Sequence, residues 1–537
     1  MAKRFATVFF ITLAVAVLCV ASFVLVLIMA PGMTVFGLKY IQTGTHVVSG
    51  SFKITEALEK KGYPLGEFSG SIRVEIEDVP VEVIFTLGHD YEVYYYDNYC
   101  GFTLSKIQDP SLECSLDDDG TAVLKVTSFK PFIYENGNSN RCLKLLIPAV
   151  SVSELLPGQT DLTIKSNKSS VKFADEQSDN FDPYFHKITI ETAGSVSSSL
   201  NLKTDTFEFT TLNKITLGES VESSINATNY ILKSTGGNVE VYRHVEGDLQ
   251  VTTTNASVKV VSCGNLKVNC GWGDISCAKP DQDIMVYGNA VISTTAGSVK
   301  LGSVLGETGM SVINTKTGTV HIKKIYDGEI TTTRGHVFVN SARNLKATTS
   351  SGSVTIEEAT ASTNVVSKRG KVVLGGEKAV IVNPTVQTTF GKVYVTSASG
   401  KVSIETTHAN VDFINKDSTD IVLKVGGSLT ATKLIGAVDI VVDKNATLDF
   451  AEFTENAKIV NNGVGSVMVI NVLTKKVSEF AYALEGAEVK LMEFNPDDPS
   501  AHVQLEVSTI VTGGSTGMPK LTVISKGSMV VYCKKST

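Results

Sequence analysis

One short phrase occurs twice in close succession in this chain. The segment T-T-R-G-H-V-F-V, which begins at Thr332, is followed seventeen residues later by T-S-S-G-S-V-T-I. In both copies a glycine, Gly335 or Gly352, precedes apolar residues two and four positions further on, and we call this glycine the anchor. The frame recurs at ten anchors between residues 237 and 409, spaced 17 to 24 residues apart, with Ala256 and Ala409 replacing glycine. Such periodicity is the signature of a stacked repeat protein.

Each copy contains two runs in which apolar and polar residues alternate, one before and one after the anchor. Alternation with a period of two predicts a strand with one buried face. One pair of strands cannot bury that face alone, whereas stacked copies close the Val, Ile and Leu columns into a continuous core. The chain is therefore predicted to be all-β, a parallel β-solenoid of roughly 18-residue two-strand coils. A propeller or a sandwich is the alternative, but a propeller blade needs about twice this period.

Threonine recurs three residues before the anchor, at Thr253, Thr294, Thr315, Thr332, Thr349, Thr388 and Thr406. This threonine lies an odd number of positions before the anchor, and the alternation of the strand places it on the inward face near a corner. Hydroxyls there are expected to hydrogen-bond between coils. An exposed threonine array that binds ice or sugar is the alternative. The outward positions carry a mixed, solvated set, Lys300, His321, His336, Lys346, Lys371 and Lys392. Any binding specificity of the coils is expected at these outward positions.

An uncharged, largely apolar segment from Phe5 to Ala30 follows Lys3 and Arg4. Its 26 residues are enough to cross a hydrocarbon core of roughly 30 Å. A cleaved signal peptide is the alternative, but its apolar region is usually about 7–15 residues, and Pro31 makes a poor cleavage site after Ala30. We expect an uncleaved signal anchor in the cell membrane, with the N-terminus cytoplasmic and the β domain extracellular.

The expected organisation has five segments. They are a cytoplasmic tip and transmembrane signal anchor (1–35), a juxtamembrane linker (36–69), an N-terminal β-strand cap (70–150), the β-solenoid repeats (151–495) and a C-terminal β cap (496–537). Alternating runs between residues 70 and 150 predict antiparallel strands that cover the first coil. Caps are expected because the bare edge of a sheet invites aggregation.

Four successive features of the sequence resemble a known family. The run I-R-V-E-I-E-D-V-P-V-E-V is followed by a tyrosine-rich strand, by C-L-K-L-L-I-P and by the T-x-x-G-x-V-x-V coils. Over roughly residues 70 to 480 the chain resembles the adhesin-like group of bacterial β-solenoid surface proteins. The resemblance implies the fold and an adhesin-like role, and it implies no catalytic residue, cofactor or metal.

The chemistry of catalysis and metal binding has little support in the sequence. Cys263, Cys270 and Cys277 are seven residues apart, which is not the spacing of a zinc site, so we expect small core residues. Asp117 to Gly120 lack the ligand pattern of a calcium loop and predict a hairpin turn. The net charge of −7, with scattered Lys and Arg, makes nucleic acid an unsuitable partner.

The most unusual composition is the tyrosine-rich strand between residues 91 and 99. Tyr94 and Tyr96 fall on the face opposite Val93 and Tyr95, so exposed rings are expected there. We predict a binding site at Tyr94, Tyr96 and Tyr99, since exposed tyrosines bind glycans or peptides through large, rigid contacts. Packing of these rings against the cap is the alternative.

The predicted function is that of a membrane-anchored, extracytoplasmic, adhesin-like protein whose rigid solenoid presents a binding surface. A surface glycan, a matrix protein or an envelope protein is the expected partner, and the sequence does not define the oligomeric state. The alternatives are a structural envelope scaffold that self-assembles and a polysaccharide-acting β-helix enzyme. The chain is expected not to be an enzyme, because the outward positions lack a carboxylate cluster.

Overall fold

The computed structural model describes residues 2–29, 34–35, 38–41, 47–76, 82–88, 90–98, 101–104, 111–127, 132–135, 140–148, 160–173, 184–194, 196–198, 202–218, 225–376, 379–418, 420–474, 477–494 and 502–534. Helix α1 spans Ala2–Met29, helix α2 spans Ile54–Lys60, and 3-10 turns lie at Leu65–Glu67 and Val477–Glu479. Within the described residues, α1 contains one stretch, Phe9–Val26, that is long and apolar enough to cross a membrane.

The chain divides into two compact units, Met1–Gly237 and Asn238–Thr537. In the first unit, strands β1 to β18 span, in order, Thr34–Val35, Leu38–Ile41, Val47–Lys53, Ile72–Ile76, Glu82–Gly88, Glu92–Asn98, Gly101–Leu104, Ser111–Leu116, Ala122–Thr127, Phe132–Glu135, Asn140–Pro148, Asp161–Ser166, Ser170–Phe173, Tyr184–Glu191, Val196–Ser198, Leu202–Thr211, Ile215–Leu217 and Ile225–Ser234.

In the second unit, strands β19 to β44 span, in order, Val239–Thr253, Val258–Trp272, Ile275–Cys277, Ile284–Val286, Ala290–Ala296, Val299–Val304, Ser311–Thr315, Val320–Thr332, Val337–Thr349, Val354–Ser367, Val372–Leu374, Ile381–Val382, Pro384–Thr388, Val393–Ser399, Lys401–Thr406, Val411–Asn415, Asp420–Val425, Leu429–Leu434, Ala437–Val442, Ala446–Phe450, Ala457–Asn461, Val467–Leu473, Ala481–Phe494, His502–Gly513, Lys520–Ser525 and Ser528–Lys534.

The first unit contains a parallel ladder and a separate six-stranded sheet. The ladder runs β9–β4–β12–β14–β16–β18, and β8 pairs antiparallel with β9 at its outer edge. The sheet has the order β15-β13-β5-β11-β6-β3. The antiparallel pairing expected between residues 70 and 150 is found for β8–β9 and β6–β11, but β4–β9 and β5–β11 are parallel. Part of the expected cap region thus already belongs to the coil stack.

The second unit is a parallel β-solenoid, which confirms the predicted fold; the described residues of the whole chain form about 14 turns. Val320, Val337 and Val354 are aligned from one coil to the next, so the apolar column predicted from the repeat is present. Each of these coils also has a third inward position that the anchor frame missed. Ala342 occupies it in one coil and pairs with Ile325 on one side and Ala359 on the other, all buried.

The C-terminal strands do not stack in chain order. Strands β43 and β44 pair with β39 and β40 on one side and with β41 on the other, so they lie inside the stack. Strand β42 pairs with β41 and forms the last layer. The strand that ends the chain is therefore covered on both edges, and β42 is the terminal strand.

The anchor glycines are required by close approach between coils. A Cβ atom on Gly352 would lie 1.7 Å from the carbonyl oxygen of Gly335, and one on Gly335 equally close to that of Gly318. Neither Gly335 nor Gly352 has the positive φ that would itself favour glycine. The expected tight turn is therefore less important than the small distance between stacked backbones.

The threonine column is buried, as predicted, but most of its hydrogen bonds lie within one coil. The backbone N–H of each anchor Gly318, Gly335, Gly352 and Gly391 donates to the threonine three residues earlier, over 2.8 to 3.3 Å. A bond between coils of the expected kind is made by Gly426, whose N–H donates to Thr406 Oγ1 at 3.3 Å. The hydroxyls therefore chiefly fix the corner of each coil.

Replacement of Thr332 by valine is expected to lower the free energy of unfolding by about 1–3 kcal/mol, because the N–H of Gly335 loses its acceptor while it stays buried. Thr331→Val is the matched control, since Thr331 lies on the outward face of the same strand and should change stability by less than about 0.5 kcal/mol. Urea unfolding followed by circular dichroism measures both. Equal midpoints for the two variants would contradict the assigned role of the hydroxyl.

Candidate functional site

The tyrosine-rich strand β6 lies between β11 and β3 in the six-stranded sheet. Val93 and Tyr95 are buried, at 0% and 8% exposure, whereas Tyr94 and Tyr96 are 40% and 38% exposed. The period of two in a strand explains this division, because successive side chains point to opposite faces. The predicted exposure of Tyr94 and Tyr96 is confirmed. Tyr99 lies outside the described residues.

Strand register defines the neighbours of these two rings. Tyr94 lies opposite Lys144 of β11 and Ser51 of β3, and Tyr96 lies opposite Cys142 of β11. Directly opposite residues share a face of the sheet, so these five residues form one surface, which we call the tyrosine face. Two residues along a strand span roughly 7 Å, which sets the separation of the two phenol rings.

The tyrosine face combines aromatic and polar chemistry. The Tyr94 hydroxyl donates a hydrogen bond to the Glu92 carboxylate, and this bond raises the pKa of Tyr94. The phenol is therefore neutral over the physiological range and is oriented by Glu92. Lys144 adds an ammonium group, which can donate hydrogen bonds to hydroxyl or carboxylate oxygens of a ligand. Flat rings with donors and acceptors beside them suit a ligand that has both apolar C–H faces and hydroxyl groups.

The structure also shows a groove that the sequence did not reveal. It lies in the first unit, has a volume of about 480 Å³ and is lined mainly by the ends of β4, β12, β14 and β16. Glu75, Lys165 and Glu191 line it from three adjacent coils at the same register. Adjacent strands are about 4.8 Å apart, so the two glutamates are roughly 10 Å apart at the backbone, with a lysine between them. Glu75 and Glu191 are 116 positions apart in the chain, so the strand register, and not the sequence, shows that they are neighbours.

Several carboxylates of the coils are held by cations of neighbouring strands. The Glu208 carboxylate accepts hydrogen bonds from Lys233 at 2.6 Å and Lys187 at 2.9 Å, and the bond from Lys233 contributes most to lowering the pKa of Glu208. Asp283 is similarly paired with Lys323 at 2.5 Å and Lys300 at 3.4 Å, and its pKa is also lowered. A general acid at neutral pH needs a raised pKa, so these carboxylates are unsuited to that role.

The variable outward positions of the second unit also interact with each other. Lys371 and Lys392 lie over the ring of Tyr394, with their Nζ atoms 4.5 and 4.3 Å from its centroid. Lys392 is also 2.8 Å from a carboxylate oxygen of Asp412. These lysines were predicted to be simply solvated, but both interact with an aromatic ring, and Lys392 also pairs with a carboxylate of the next coil.

The motifs considered for metal binding have structural roles. Cys263 and Cys270 are buried, as predicted, and burial raises the pKa of the Cys263 thiol to about 12. Cys277 was expected to be a small core residue facing inward but is half-buried. Asp117 accepts hydrogen bonds from the N–H groups of Asp119 and Thr121 in the β8–β9 hairpin, which confirms the predicted turn. The described residues contain no group of three His, Cys, Asp or Glu that could hold a metal ion.

Comparison with known proteins gives no match: no family model, no curated protein and no solved structure is similar to the chain. The resemblance to the adhesin-like group therefore stays an expectation drawn from the motifs. The features of the molecule that bear on its function are the apolar helix, the β-solenoid and the exposed residues of the tyrosine face.

Proposed function

We propose that the chain is a membrane-anchored, extracytoplasmic binding protein of the adhesin-like kind, without catalytic activity. Helix α1 would be the anchor, with Lys3 and Arg4 on the cytoplasmic side by the positive-inside rule. The six-stranded sheet of the first unit would present the tyrosine face to a ligand outside the cell. A stacked array suits display, because repeats that contact their neighbours build an extended, rigid surface.

The exposure of Tyr94 and Tyr96 on one face of an internal strand is the observation that carries this proposal. Large aromatic side chains cost free energy when they face water, so two of them beside Lys144 favour a binding surface. Among the expected partners, a glycan suits the face best. Its C–H faces would stack on the rings, and its hydroxyl groups would pair with Lys144 and Glu92.

Double replacement of Tyr94 and Tyr96 by alanine is expected to weaken glycan binding about 10-fold or more, since each stacking contact is worth roughly 1 kcal/mol. A glycan array with the purified full chain in detergent identifies the ligand, and titration calorimetry measures the loss. Phe390→Ala is the matched control, because Phe390 is 57% exposed but lies in the second unit, on a different surface.

Two results of this experiment would change the proposal, and one further variant refines it. Retention of wild-type affinity by the double variant would remove the tyrosine face as the binding site. Binding of matrix or envelope proteins, and of no glycan, would keep the face but change the ligand class. Tyr94→Phe separates stacking from hydrogen bonding, because it removes the hydroxyl and keeps the ring.

The polysaccharide-acting alternative rests on the groove beside Glu75 and Glu191. Lys165 lies between these two glutamates in the stack, so a cation separates the two carboxylates. Hydrolysis of a glycosidic bond needs two carboxyl groups that flank that bond, so this arrangement favours binding over hydrolysis. Release of reducing sugar from a polysaccharide panel by the full chain, lost in Glu75→Gln, would reverse this conclusion.

A further inference from the structure

One corner of the stack in the second unit carries cations and no carboxylates. In each coil the two residues directly before the anchor form the turn at this corner, between a buried Thr or Ser and the buried anchor glycine. We call these two positions, in the four coils with anchors Gly318, Gly335, Gly352 and Gly370, the basic corner. Its eight residues are Lys316, Thr317, Thr333, Arg334, Ser350, Ser351, Lys368 and Arg369. Four of them are cations, and the other four have hydroxyl groups.

The corner residues of successive coils are stacked on one another. The N–H of Arg334 donates to the carbonyl oxygen of Lys316 at 2.9 Å, and the N–H of Ser351 donates to that of Thr333 at 3.1 Å. Adjacent coils are about 4.8 Å apart, so Arg334 and Arg369, which are two coils apart, are separated by roughly 10 Å at the backbone. Residues that are scattered along the sequence thus form one row of roughly 14 Å.

The four cations of the basic corner are exposed and have no acidic partner. The structure describes every residue from 225 to 418 except 377 and 378, and within the described chain none of the four cations forms an ion pair. The segments from four residues before each of these four anchors to three residues after it contain no Asp or Glu. The whole chain has 55 acidic and 48 basic residues, so this surface reverses the overall charge. Unpaired positive charge of this kind attracts anions.

The side chains of the basic corner are suited to an anion that also carries hydroxyl groups. Arginine binds carboxylate groups, and tetrahedral anions such as phosphate or sulfate, through two parallel hydrogen bonds. The hydroxyls of Thr317 and Ser351 each donate to a carbonyl oxygen of the preceding coil at 3.3 Å, and they can still accept a hydrogen bond from a ligand. A sugar with an acidic group supplies both kinds of partner.

The arrangement of the cations favours a linear polymer. The row follows the axis of the stack, and the roughly 10 Å between the two arginines is close to the length of a disaccharide unit. A polysaccharide with an acidic group on every second sugar therefore matches this spacing. Single-stranded nucleic acid is less suitable, because none of the eight corner residues is an aromatic side chain on which a base could stack.

We propose that the basic corner binds an acidic polysaccharide, a linear polymer with carboxylate or sulfate groups that lies along the stack. The acidic groups pair with the four cations, and the sugar hydroxyls bond to the Ser and Thr residues between them. This site lies in the second unit and is independent of the tyrosine face, which belongs to the first unit.

The test measures binding of the full chain, in a neutral detergent, to three immobilised polymers. Heparin carries sulfate and carboxylate groups, polygalacturonate carries carboxylate groups alone, and dextran is uncharged. The chain is expected to bind at least one charged polymer but not dextran, with an affinity that falls as salt is added, because ions screen exposed charges. Binding to polygalacturonate would show that carboxylates suffice, and binding to heparin alone would assign sulfate. Failure to bind either charged polymer at low ionic strength would overturn the proposal.

Charge-removing variants locate the site. Lys316→Gln together with Lys368→Gln is expected to weaken binding about 10-fold, because two exposed ion pairs are lost. Lys316→Arg together with Lys368→Arg keeps both charges and should retain the affinity. The matched control is Lys424→Gln together with Lys458→Gln. These two lysines are also exposed, but each lies opposite an acidic residue of a neighbouring coil, so their loss should leave binding unchanged.

Other results would contradict the proposal. An equal loss of affinity in the two glutamine variants would show that overall charge, and not the corner, attracts the polymer. Tighter binding of a single-stranded DNA oligonucleotide than of both charged polysaccharides would exclude the proposed ligand class. Tyr94→Ala together with Tyr96→Ala should leave polymer binding unchanged, and a loss there would place the polymer on the tyrosine face instead. The proposed function and the basic corner are therefore tested separately.

Discussion

Replacement of Gly352 by alanine is expected to lower the free energy of unfolding by about 3 kcal/mol or more. The added Cβ would lie 1.7 Å from the carbonyl oxygen of Gly335 and 2.5 Å from its carbonyl carbon. Both atoms belong to backbone that is held by the ladder on either side, so the clash cannot be relieved by a side-chain rotation. The two coils must separate locally, which breaks hydrogen bonds and opens the Val337–Val354 column.

Gly376→Ala is the matched control for Gly352→Ala. A Cβ at Gly376 meets the Cβ atoms of Ala379 and Glu357 at 3.9 Å, an ordinary contact distance. This variant is expected to be neutral or stabilising by up to about 1 kcal/mol, because alanine restricts the unfolded chain. Urea unfolding of both variants, followed by far-ultraviolet circular dichroism, gives the comparison. A Gly352→Ala midpoint equal to that of Gly376→Ala would show that the coils can separate at little cost.

Replacement of both Val17 and Leu18 by lysine is expected to release the chain from the membrane almost completely. Twelve Leu, Ile, Val and Phe residues between positions 9 and 26 contribute roughly −5 kcal/mol to insertion. Two lysines near the middle of the helix add about +6 kcal/mol, which is enough to reverse the sign. Alkaline extraction of membranes followed by sedimentation measures the fraction that remains inserted.

The control for the lysine variant exchanges the two residues, as Val17→Leu together with Leu18→Val, and should remain in the membrane pellet. The same experiment separates an anchor from a cleaved signal peptide, because an anchored chain keeps its full mass of 57.4 kDa. A wild-type protein that is shortened near Ala30 and found in the supernatant would show that the apolar segment is cleaved. The membrane anchor would then no longer be part of the proposed function. The tyrosine face would be unaffected by that result.

The anchor frame predicted the stacking of the second unit in detail. Val337 above Val354 follows directly from the phrase repeated at Gly335 and Gly352, and the buried threonine column follows from the same spacing. The third inward position, occupied by Ala342 in one coil and Ile325 in the next, was missed because a single inward residue between two corners produces no alternating pattern. The hydrogen-bond partners of the threonine hydroxyls were also predicted wrongly. Most of these bonds lie within one coil and not between coils, because their direction depends on the geometry of the corner.

The exposed part of the candidate site was predictable for a simple reason. Alternation along one strand assigns Tyr94 and Tyr96 to the face opposite Tyr95, and no long-range information is needed. The remainder of the tyrosine face was not predictable, because Lys144 and Ser51 reach it only through strand pairing. The mixture of parallel and antiparallel pairs in this region cannot be read from alternation, which is the same for both.

The sequence by itself determined the strand period, the inward columns, the coil length and the apolar N-terminal helix, because each depends on residues close together in the chain. Only the tertiary structure decided which strands meet. It placed β43 and β44 inside the stack, left β42 as the terminal strand and brought Glu75 beside Lys165. The physical reason is that pairing depends on the path of the backbone between strands, which the local alternation of apolar and polar residues does not show.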